Sequence, residues 1–114
     1  PELSRAAEFG VDTVGSLKNL TRGQGLEVHH IIEQRFSAML GIDKTDDMLG
    51  VVLTHQEYLE FTRRWRREIG YRNQLMEFTT ETMGDVDVLW RVAQNVYRGY
   101  PELLEAAYKH LYHP

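Results

Sequence analysis

The apolar, β-branched run Leu49 to Leu53 ends directly against Thr54-His55-Gln56-Glu57. No other stretch narrows the fold as much. Thr at the N-cap position with Glu at N3 is a capping box. Each side chain satisfies a backbone N–H that the first helical turn leaves without a partner, so a helix opens there. Behind it Tyr58, Phe61, Trp65 and Ile69 recur at three- and four-residue steps and predict one buried stripe, closed by Gly70. The length and branching of Leu49–Leu53 suit a strand. The centre of the chain therefore reads as strand, one-residue joint, helix.

A second apolar run, Leu26 to Ile32, precedes it after Gly23 and Gly25 and also predicts a strand. Helices are expected over 2–9, stopping at Gly10, over 14–20, and over 33–40 before Gly41. A polar loop is expected over 43–47. Past Gly70 the pattern is helical. It is irregular over 73–82, then clear from an Asp85 cap through Val86, Leu89, Trp90, Ala93, Val96 and Tyr97 to Gly99. A last helix begins at Pro101 and carries Leu103, Leu104, Ala107, Tyr108 and Leu111. The expected fold class is α+β, mainly α: a small ββα finger flanked by N- and C-terminal helices, in one domain of 114 residues.

Composition excludes several classes. Apolar residues at 42% and charged residues at 26% are ordinary for a folded domain. No stretch reaches the roughly 20 apolar residues of a membrane span, and no signal peptide is expected. Cysteine is absent, which rules out disulfides, thiolate nucleophiles and thiolate metal sites. The opening Pro1-Glu2-Leu3, without an initiator methionine, points to a piece of a longer chain. Net charge is −4, so nonspecific coating of nucleic acid is not expected. Basic charge is nevertheless focused: Arg63, Arg64, Arg66, Arg67 and Arg72 stand against the single acid Glu68.

The chemistry-bearing stretch is Glu27-Val28-His29-His30-Ile31-Ile32-Glu33. Side chains alternate along a strand, so His29 and His30 are expected on opposite faces unless a bulge intervenes. A neutral imidazole can accept a proton near pH 7 or bind a metal, and a strand fixes where it points. Its bland alternative is a hydrogen-bonded core histidine. Glu27 can fix an imidazole tautomer. Weaker candidates are His110 and His113, whose i, i+3 spacing could bind a metal but whose place near the C-terminus predicts solvated rings, and Asp43, Asp46 and Asp47, which lack the alternation of a calcium loop.

Residues 25–36 together with Asp47-Met48-Leu49, Val52-Leu53-Thr54 and the aromatic-arginine helix resemble HNH or His-Me finger nuclease domains. The resemblance spans about residues 24–72. More closely, the stretch is similar to C-terminal toxin modules of bacterial polymorphic toxins of the contact-dependent inhibition and Rhs types. It implies a nuclease toxin in which His30 is the general base and His29 ligates a metal. Its helix ligands would fall at Tyr58 and Thr62, which are poor ligands. Asp47 stands near the place of a base-orienting asparagine, and Glu33 replaces a proline and becomes a ligand or acid–base partner. A site of His29, Asp47 and other acids suits Mg²⁺ or Mn²⁺ better than Zn²⁺. Metal-independent RNA cleavage by His29 or His30, Glu33, His55 and an arginine stays open.

Arg63 and Arg67, sharing a helix face, are the expected substrate contacts. The implied partners are a nucleic acid and a cognate immunity protein. Delivery from a bacterium as part of a larger protein, with action in the target-cell cytoplasm, is implied too. The competing readings are a noncatalytic protein-interaction module, since Trp, Tyr and Arg also make binding hot spots, and a nucleic-acid binder without catalysis. The choice of DNA or RNA and the oligomeric state stay open.

Overall fold

The computed structural model describes residues 2–70 and 86–112. The readings at 73–82, Asp85, Arg72 and His113 lie outside the described residues. Eight elements follow in order: α1 (Ser4–Phe9), β1 (Asp12–Thr13), α2 (Val14–Leu20), β2 (Glu27–His30), β3 (Leu49–Leu53), α3 (His55–Ile69), α4 (Val86–Val96) and α5 (Pro101–Tyr112). Single 3-10 turns at Gln34–Phe36 and Thr45–Asp47 lie between β2 and β3. The fold is α+β and mainly α. Among the described residues no helix is long and apolar enough to cross a membrane.

The chain packs as two compact units, Pro1–Tyr58 and Leu59–Pro114. In the first, an antiparallel sheet of order β1-β3-β2 puts β3 at its centre. The β2–β3 register is unbroken, pairing Glu27 with Leu53, Val28 with Val52, His29 with Val51 and His30 with Gly50. Helices α1 and α2 pack against β3. Gly50 permits this: a Cβ there would lie 2.7 Å from a Val14 methyl and 2.9 Å from the His29 carbonyl. The core comprises Val14, Leu17, Ile31, Ile32, Phe36, Met48, Val51, Val52 and Leu53, all buried.

The expected capping box forms as read. The Thr54 amide donates to Glu57 Oε1 at 2.9 Å, and the Glu57 amide donates to Thr54 Oγ1 at 3.3 Å. Two of the expected elements need correction, and one strand is additional. The helix expected over 33–40 shrinks to the Gln34–Phe36 turn, because Glu33 is extended (ψ 141°) and Ile42 N–H bonds back to Ser37 O. Strand β2 stops at His30, so Ile31 and Ile32 reach the core from a bend. Strand β1, two residues long, was not foreseen.

In the second unit Phe61, Trp65 and Ile69 are buried with Leu89, Val92, Ala93 and Val96 of α4 and Leu103, Ala106, Ala107 and Leu111 of α5. The Trp65 indole donates to the Tyr97 hydroxyl at 3.2 Å. Phe61 contacts the rings of Tyr97 and Tyr100. Tyr58, expected in the buried stripe, is only half-buried, and Tyr108 of α5 is exposed.

Candidate functional site

Regular pairing sends the two histidines to opposite faces of the sheet, and their environments differ accordingly. His29 is 5% exposed and its ring lies edge-on to Tyr58, with centroids 6.3 Å apart. Burial, with a smaller contribution from the charge of His30, pushes its pKa down from 6.5 to about 3. His29 is therefore a neutral core residue across the physiological range.

His30 ends β2 half-buried. Its Nε2 lies 3.1 Å from the Thr45 carbonyl. A carbonyl only accepts, so Nε2 carries the proton and Nδ1 keeps its lone pair. Nδ1 has no hydrogen-bond partner among the described residues. Desolvation lowers the His30 pKa below the ordinary 6.5. The Thr45 bond and Asp46 oppose that shift, and the Lys18 ammonium adds to it. The imidazole is thus held neutral and ready to take a proton at Nδ1.

Lys18 and Asp46 complete this surface. The Lys18 ammonium pairs with Asp46 Oδ1 at 3.0 Å, both side chains half exposed. The pair joins the last turn of α2 to the Thr45–Asp47 turn. Gly15 allows that approach, since a Cβ there would meet the Asp46 Cβ and carbonyl at 3.3 Å. Four groups, His30, Thr45, Asp46 and Lys18, so converge from three segments. None but His30 was singled out from the sequence as a catalytic residue. No local periodicity links positions 18, 30 and 46, and only the tertiary fold joins them.

The other expected residues lie elsewhere. Glu27 does hold an imidazole, but that of His55: the ring Nδ1 donates to Glu27 Oε1 at 3.1 Å, with both groups solvated. Glu27 shares the strand face of His29, so the structure does not bring His30 and His55 together. Glu33 pairs with Arg35 at 3.2 Å. Asp47 is exposed, and the contacts its turn makes to His30 come from Thr45 and Asp46 instead. Among the described residues no group of three or more His, Asp or Glu side chains stands where it could hold a metal. His29 with Asp47 accordingly forms no such group. In the second unit Arg63 is tied to Glu60 at 2.8 Å, whereas Arg67 has no ion-pair or hydrogen-bond partner among the described residues.

No family model, curated protein or solved structure matches the chain.

Proposed function

We propose that the chain is a nuclease domain in which His30 is the general base. One observation carries the reading. A half-buried imidazole has its Nε2–H committed to a carbonyl, its Nδ1 lone pair without a partner among the described residues, and the Lys18 ammonium near enough for its charge to act on the ring. Phosphodiester cleavage needs a nucleophile deprotonated near neutral pH and a positive group for the charge that develops on the phosphoryl oxygens. His30 Nδ1 takes the proton from water or from a ribose 2′-hydroxyl. Lys18 supplies the cation, and Asp46 holds it in place. The backbone of Thr45 fixes ring orientation and tautomer. No step runs through a metal here.

The order of antiparallel strands and capped helix supports the resemblance to His-Me finger toxin domains. On that reading the domain is delivered to a competing bacterium within a larger protein, acts in the target-cell cytoplasm, and is restrained in its producer by an immunity protein. The buried state of His29 favours a second reading, a noncatalytic interaction module with structural histidines.

Incubating the purified chain with tRNA, total RNA and plasmid separates the readings and identifies the substrate, with EDTA and with Mg²⁺ or Mn²⁺ as further arms. His30→Ala, still folded by far-UV circular dichroism, should lose about 10² to 10⁴ in rate. The low-pH limb of the wild-type profile should fall below the ordinary histidine value, because the base form persists there. Cleavage by folded His30→Ala at the wild-type rate, or no cleavage of any substrate by wild type, would sink the proposal.

A further inference from the structure

In the second unit, a cleft of about 530 Å³ opens between α3 and the C-terminal end of α4, lined by Glu60, Arg64, Arg67, Glu68, Asn95 and Arg98. Its volume lies within the range typical of small-molecule sites, roughly 300–1,000 Å³. Rigid contacts set the walls. Arg64 donates to Glu60 at 3.1 Å and to the Val96 carbonyl at 3.2 Å, and its guanidinium lies over the Phe61 and Tyr100 rings at 5.2 and 5.6 Å. Trp65 and Tyr97 fasten the same two elements from the buried side. Arg64 is thus a structural bolt, held in place by two hydrogen bonds and two aromatic rings.

The other two cations differ. Arg67 has no partner among the described residues, and Arg98 spends one donor on Asn95 Oδ1 at 3.0 Å. Each guanidinium has five N–H donors, so most of the donor capacity at the cleft mouth is unclaimed. The acids do not cancel it equally. Each Glu60 oxygen already has an arginine partner, Arg63 at 2.8 Å and Arg64 at 3.1 Å, and those hydrogen bonds hold its carboxyl below the usual range. Among the described residues Glu68 reaches only the Asn95 amide, at 3.4 Å. Two planar donor forks, one from α3 and one from the turn that follows α4, lining one space, match the oxygens of a tetrahedral anion better than one side chain's carboxylate.

We propose that this cleft binds a phosphate ester, with Arg67 and Arg98 as its ligands and Arg64 as the fixed wall between them. The ester is either a phosphodiester of a nucleic-acid strand or the monoester of a free nucleotide. The site is independent of His30 and survives loss of cleavage. Arg63, tied to Glu60, is not part of it. Glu68 opposes the ligand and sets its affinity.

The test is fluorescence anisotropy of the full chain with a labelled short single-stranded oligonucleotide, competed by inorganic phosphate and by a 5′-mononucleotide. The Arg67→Ala/Arg98→Ala variant should lose at least about tenfold in affinity, and its salt slope should flatten by about 1.4, for two contacts at about 0.7 each. Arg63→Ala should change affinity less than about threefold, and Glu68→Gln should tighten binding. Competition by the mononucleotide identifies the small ligand, and competition only by unlabelled polymer identifies the strand. Wild-type affinity in the double variant, an equal loss in Arg63→Ala, weaker binding in Glu68→Gln, or no binding by wild type would overturn the proposal. His30→Ala, run alongside, should bind normally, which separates failure of this site from failure of catalysis.

Discussion

Acidification should unfold this protein through His29, and the size of the effect follows from its burial. The ring is 5% exposed and its pKa is depressed from 6.5 to about 3. Between those values the unfolded chain binds a proton that the folded chain refuses, so stability is complete above 6.5 and declines as pH falls towards 3. A fully developed slope is about 1.4 kcal/mol per pH unit. Lowering pH from about 7.5 to about 5.5 protonates the unfolded imidazole by about nine-tenths and costs about 1.4 kcal/mol, a sizeable part of a small domain's total. His30, also depressed, adds to the loss with the same sign. Urea melts of wild type and His29→Leu at both pH values isolate the His29 share, because His30 is common to both. The wild-type loss should exceed that of the variant by about 1 kcal/mol or more. Equal losses in the two proteins would show that His29 takes its proton in the folded state, refuting the argument from burial.

Two further perturbations probe the scaffold. Gly50→Ala places a methyl where Val14 and the His29 carbonyl already sit, and should cost about 1–3 kcal/mol in a urea melt; unchanged stability would mean α2 moves aside freely. Thr54→Ala removes one half of the capping box and should cost about 1 kcal/mol in the same measurement.

The sequence disclosed what local chemistry decides. The capping box, the extent of α3 to Ile69, strand β3 and the alternation of His29 with His30 are written in spacing and side-chain type, and each appears as read. What depends on distant pairing was illegible. Strand β1 has two residues and no period of its own, and exists because Asp12 and Thr13 meet β3. The Lys18 and Asp46 neighbours of His30 are 12 and 16 positions from it along the chain, and nothing local ties them together. The arginine cluster was visible, but its division was only half so. Glu60 at i−3 could have marked Arg63 as occupied, whereas Arg98 joins Arg67 only through the packing of α3 on α4.

The single residue between β3 and α3 acts as a gear without slack. Thr54 leaves no spare chain, so the rotational phase of the helix is set covalently by the strand before it. One inserted residue would turn the helix by about 100° and advance it about 1.5 Å, carrying Tyr58 away from His29 and His55 away from Glu27. The 37–44 part of the 31–48 connection has no such gearing, because its residues are half-buried or exposed, whereas Ile31, Ile32, Phe36 and Met48 on either side are fixed in the core. Length variation should therefore be borne in that connection and refused at the joint, a difference that deletion and insertion scanning would register directly.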